Sequence, residues 1–144
     1  MKGFTMSNRM TVENLIDARV KVNAAAHAAL VAFRRSKPWR GMFAERMEKF
    51  QALRQAMSDA YGISPTLEFR GEENMNEVGN GGYDPRKNVI VLVGKLSVVT
   101  LLHCFCRARG KDRREAFGWS LSVFKRMFPL SFSRCHAVGY MLIR

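Results

Sequence analysis

Residues 101–110, LLHCFCRARG, hold the densest group of side chains able to do chemistry: His103, Cys104, Cys106, Arg107 and Arg109. On a helix, His103 and Cys106 stand three positions apart and His103 and Arg107 four apart, so all three share a face. An imidazole and a thiolate on one face are zinc-ligand types, and Cys135 with His136 near the end of the chain could complete a Cys/His site. Two features oppose that reading. There is no CxxC pair, and the guanidinium of Arg107 stays protonated and repels a dication. A thiolate at Cys104 beside cations would be a nucleophile, yet no histidine stands in a recognisable position to act as its base. Each residue also has a plainer role open to it, His103 as a hydrogen-bonded core histidine and Cys104 and Cys106 as small buried apolar groups.

The elements that must position these residues can be read from periodicity. Thr11 is a good N-cap, and Val12, Leu15, Ile16 and Val20 lead through an alanine-rich stretch to Leu30 and Phe33 with a helical period, so one helix is expected up to the neighbourhood of Pro38. Within it, His27 is expected at or near the surface. A second helix carries Phe43, Met47, Phe50, Leu53, Met57 and Tyr61 on one stripe and stops at Gly62. TLEFR (66–70) alternates and NVIVLV (88–93) is a β-branched run, while Asp84-Pro85 initiates a turn, which predicts a hairpin of 81–83 with 88–93 in a sheet of about three strands. EENMNEVGN (72–80) reads as a loop. Ser97 caps a helix that runs through His103 to Gly110. Asp112 then opens another, with Glu115 in capping-box position and Phe117, Leu121, Phe124 and Phe128 on one face as far as Pro129. A last helix is expected over 131–143, with Phe132 and Cys135 inward. Two helices, a small sheet and three helices make an α+β chain of one domain, 1–144.

The frame His103-Cys104-Phe105-Cys106-Arg107 has the outline of H-E-x-x-H. Together with the preceding hairpin, the apolar entry VVTLLH, the Gly110 exit and Glu115 on the next helix, it resembles the zincin metallopeptidases, gluzincin-like members in particular, over roughly residues 83–128. The resemblance implies a minimal zincin-like core over 63–144 with a helical N-terminal part over 1–62. It places His103 at the first zinc ligand, Cys104 at the general base, Arg107 at the second ligand and Glu115 at the third. A thiol is a poor base and a guanidinium binds no metal, so the implied domain is degenerate: no metal, no cofactor and no peptidase activity. In that frame Arg107 and Glu115 would both face the place of the metal, which implies an ion pair between them, since a charge buried alone costs several kcal/mol. The alternative for Glu115 is a helix cap alone.

Charge adds an independent reading. The chain carries a formal net charge of +12, with eleven Lys/Arg against five Asp/Glu in residues 1–60, three against five in 61–94 and ten against two in 95–144. Arg107, Arg109, Lys111, Arg113 and Arg114 place five cations in eight residues. Such a cluster is either a solvated helix junction or a surface for DNA, RNA or another anionic partner, protein included. The second reading makes the chain a basic nucleic-acid-binding or assembly module with no debt to peptidases. No apolar run reaches the ~20 residues that span a bilayer, and residues 1–10 lack the parts of a secretory signal. No membrane partner and a cytoplasmic location with reduced thiols are therefore expected.

Overall fold

In a computed structural model the described residues are 11–71 and 81–137. They form six helices and a three-stranded sheet: α1 (Val12–Leu15), α2 (Ala24–Arg35), α3 (Phe43–Tyr61), β1 (Thr66–Arg70), β2 (Gly81–Asp84), β3 (Val89–Val93), α4 (Val98–Ala108), α5 (Arg113–Met127) and α6 (Pro129–Ala137). The class is α+β. The loop expected over 72–80 and the end of the helix expected over 131–143 lie outside the described residues.

Three strands in the order β1-β3-β2 make a mixed sheet. β3 pairs parallel with β1 and antiparallel with β2, so the hairpin expected around Asp84-Pro85 is present. Its turn is held locally: the Asp84 carboxylate accepts from the Arg86 N–H at 3.0 Å, and the Tyr83 hydroxyl donates to Asn88 at 2.7 Å. Asn88 takes a left-handed φ of 55°, a conformation asparagine tolerates better than most residues. Alternation in β1 turns Leu67 and Phe69 to the core and leaves Thr66, Glu68 and Arg70 exposed. The central strand β3 is buried throughout, as its continuous apolar run requires.

α5 is the centre of the helical layer. Ala116, Trp119, Leu121, Val123, Phe124 and Met127 are all buried, on more than one face, and α4, α1, α6 and α2 pack against it. Around it, Phe33 meets Phe50 and Phe128 edge-on at 5.1 and 6.3 Å between ring centres.

The N-terminal helix expected as one piece is two. α1 ends at Leu15, and α2 starts only after Asn23, whose side chain accepts from the Ala26 N–H at 2.7 Å and donates to the Ala60 carbonyl at 2.9 Å. Residues 16–23 form a strap across α5, and α5 supplies the hydrogen bonds that a helix would have made. Ser122 Oγ accepts from the Asp17 N–H at 2.9 Å, Trp119 Nε1 donates to the Lys21 carbonyl at 3.0 Å, and Arg126 donates to the carbonyls of Ala18 and Val20. Tertiary partners outweigh a weak local helical preference there.

This arrangement gives a prediction of sign. Asn23→Ala should destabilise the protein by about 1–2 kcal/mol through the lost cap, measured by urea unfolding. In an unbroken helix the same change would stabilise, since alanine is the better interior residue.

Candidate functional site

α4 and α5 form a helical hairpin whose junction carries the candidate residues. Ser97 Oγ caps α4 by accepting from the Thr100 N–H at 3.3 Å. At its other end Gly110 takes φ 87° and donates to the Arg107 carbonyl at 2.9 Å, while Lys111 donates to the Cys106 carbonyl at 3.3 Å. That pair of bonds is a Schellman turn, and the left-handed φ explains the glycine. Asp112 then caps α5 by accepting from the Glu115 N–H at 2.8 Å.

His103 lies half-buried against Phe117 of α5, with 4.1 Å between ring centres. Its Nδ1 is buried and has no hydrogen-bond partner among the described residues. Burial first, then the nearby charges of Arg107 and Arg113, push the imidazole pKa down to about 4; the Ala116 backbone opposes this weakly. At neutral pH His103 is an uncharged ring in an aromatic and cationic setting. The guanidinium of Arg113 sits over the same Phe117 ring at 5.2 Å.

Cys104 and Cys106 are free and buried. Burial pushes the Cys104 thiol up to about 12 and the Cys106 thiol up to about 11, the cations around them pulling only partly the other way. Both are protonated, inert core groups at neutral pH, which removes Cys104 as a nucleophile or base.

Arg107 and Glu115 do not pair. Among the described residues no ion pair joins them, and Glu115 is exposed. The reason lies in the helical stripe of α5: Arg113, Ala116 and Phe117 face His103, whereas Glu115 falls off that stripe and its charge acts on Cys106 instead. The ion pair implied by the zincin resemblance is thus overturned. Of the capping box, the half made by the Asp112 carboxylate is present.

The zinc of an intact zincin does not fit these side chains. Among the described residues no three His, Cys, Asp or Glu side chains come together as a metal-holding group, so His103 with Cys106 and Cys135 makes no site. The side chain of His136 lies outside the described residues.

What the junction does gather is positive charge. Arg107 and Arg109 are half-buried, and Lys111, Arg113 and Arg114 are exposed. Arg109 is stacked on Tyr61 at 4.0 Å and lies 5.9 Å from Trp119. These aromatic partners were missed in the sequence. Tyr61 is the last residue of α3, and nothing in the spacing links it to Arg109. No protein family, curated protein or solved structure matches the chain.

Two outcomes follow for His103. Its ring should titrate near pH 4 by NMR, and Arg107→Ala should raise that midpoint by removing a repelling charge. The folded pKa is below the unfolded value, so His103 contributes stability above pH 6.5 that is lost as pH falls toward 4. His103→Asn should therefore flatten the stability profile in that window, followed by denaturant unfolding at several pH values.

Proposed function

We propose that the chain is a non-catalytic binding module, with a zincin-like order of elements, whose α4–α5 junction engages an anionic partner, nucleic acid being the class that suits it best. The reading rests on one observation. Arg107, Arg109, Lys111 and Arg113 meet at one end of a helical hairpin, and none has a carboxylate at ion-pair distance among the described residues. Four like charges held together repel one another, and a phosphate backbone relieves that repulsion while releasing counterions. Aromatic stacking of Arg109 and Arg113 holds two of the guanidinium planes in place, which lowers the entropy lost when they bind.

The zincin-like part of the reading is supported by order and packing. A helix, a strand, an antiparallel hairpin and a helical hairpin follow one another, and α4 packs against β2 and β3. The non-catalytic part is supported by the chemistry of α4: beside His103, at the place of the first ligand, a protonated thiol stands where the base would be and a guanidinium where the second ligand would be.

The test is fluorescence anisotropy with a duplex and a single-stranded oligonucleotide of equal length. Three to four phosphate contacts predict that affinity falls roughly 40- to 150-fold for the duplex and roughly 20- to 50-fold for the single strand between about 50 and 200 mM salt. Arg107→Glu with Arg113→Glu should abolish binding. Affinity indifferent to salt, or unchanged in that double variant, would contradict the reading. So would peptide cleavage on adding zinc that is lost in His103→Ala.

A further inference from the structure

At the far end of the α4–α5 hairpin from His103, the surface changes character. Among the described residues the exposed large hydrophobic side chains are Trp39 at 54 %, Met42 at 74 %, Phe43 at 48 % and Leu130 at 77 %. Trp39, Met42 and Phe43 lie within five residues of one another before and at the start of α3, and Trp39 and Leu130 line the same groove.

Trp39, Phe128 and Ser131 line both of two grooves of about 520 and 510 Å³. The floor of the first is Phe33, Phe50 and Phe124, with Val98 and Val99 of α4 along one side. The second runs beside α6 to Leu130. Their rims carry Arg46 and Lys95 on the first and Arg34 and Arg134 on the second, and no Asp or Glu lines either groove among the described residues. Two of these cations are fixed in place by backbone carbonyls. Arg34 donates to Met127 at 3.0 Å and Arg46 to Pro38 at 2.8 Å, each through one of the five N–H groups of a guanidinium.

We propose that this double groove is a docking site for an acidic amphipathic helix of a partner protein. Adjacent apolar grooves that share Trp39, Phe128 and Ser131 suit side chains one or two helical turns apart, the spacing by which a helix fills a groove. The rim supplies the complement: carboxylates on the flanks of such a helix meet Arg46, Arg34 and Arg134 and, among the described residues, no like charge. A second copy of this chain is disfavoured by the same rim, because it would set cation against cation on a protein of net charge +12. A single-stranded nucleic acid suits the site less well, since Phe33, Phe50 and Phe124 are a buried floor that receives side chains rather than an open face on which bases stack, and displacement of bound peptide by a single-stranded oligonucleotide would overturn this choice of partner. The surface is independent of the anionic site at Arg107 and Arg113.

Labelled peptides of about 18 residues test this, with leucine or phenylalanine at i, i+3, i+4 and i+7 and either glutamate or lysine on the flanks. The probes are these peptides, followed by anisotropy and by the part of the tryptophan emission that Trp39→Phe removes, against the full-length protein. The glutamate series should bind at least about tenfold more tightly than the lysine series, with the difference shrinking as salt rises. Trp39→Ser with Leu130→Ser should weaken it by about tenfold or more, as should the exposed single change Arg134→Glu. Arg107→Glu with Arg113→Glu should leave it unchanged, which separates this site from the proposed nucleic-acid surface. Equal binding of both series, no binding by any glutamate peptide, indifference to Trp39 and Leu130, or displacement of bound peptide by anionic phospholipid vesicles would each overturn the proposal. Circular dichroism of the variants shows whether they are folded.

Discussion

The indole N–H of Trp119 donates to the carbonyl of Lys21, Ser122 accepts from the N–H of Asp17, and Arg126 reaches the carbonyls of Ala18 and Val20. Through these bonds one helix, α5, satisfies the backbone of a non-helical strap while burying its other sides against α4, α6 and α2. Gly118 permits the arrangement. A Cβ there would lie 3.2 Å from the Leu15 carbonyl, so the end of α1 approaches α5 more closely than a larger residue would allow. Once α5 is held from both sides, α4 has one place to pack, and the two ends of their hairpin become the two distinctive surfaces of the molecule.

At the end formed by the tight turn, Arg107, Arg109, Lys111 and Arg113 come together with no carboxylate at ion-pair distance among the described residues. The Schellman turn at Gly110 and the Asp112 cap set the cations close together, and the stripe of α5 that faces α4 brings Phe117 under His103 and Arg113. An imidazole in that position stays neutral because burial and two guanidinium groups all disfavour a proton. The same cations oppose a metal dication and favour an anion. The carboxylate that could have reversed this, Glu115, lies on another face.

Much of the chain was legible because its signals are local. Gly62 and Gly110 stand at helix ends, Ser97 and Asp112 cap helices, and the hairpin follows Asp84-Pro85, each from chemistry within a few residues. The β-branched run 89–93 is the buried central strand. The break at 16–23 was not legible, since the groups that replace its helical bonds come from residues about a hundred positions away. The same holds for Arg109 on Tyr61 and for the grooves around Trp39. Gly118 in the middle of a helical pattern was the one local hint of the strap, because an interior glycine in a helix marks a close approach more readily than a preference for helix. In the candidate site the positions of His103 and Arg107 on one face were readable from spacing. The pairing of Arg107 with Glu115 followed only from the zincin frame, and the rotation of α5 does not provide it.

The central claim is that the His103 face answers to anions and not to metal. NMR of the His103 ring and of the Arg107 and Arg113 guanidinium groups, in one sample titrated first with zinc at equimolar concentration and then with a duplex oligonucleotide, tests it most directly. The account predicts no change with zinc, and saturable shifts of all three side chains with the oligonucleotide that are reversed by salt. Shifts of His103 on adding zinc, with Arg107 and Arg113 unmoved by the oligonucleotide, would contradict it.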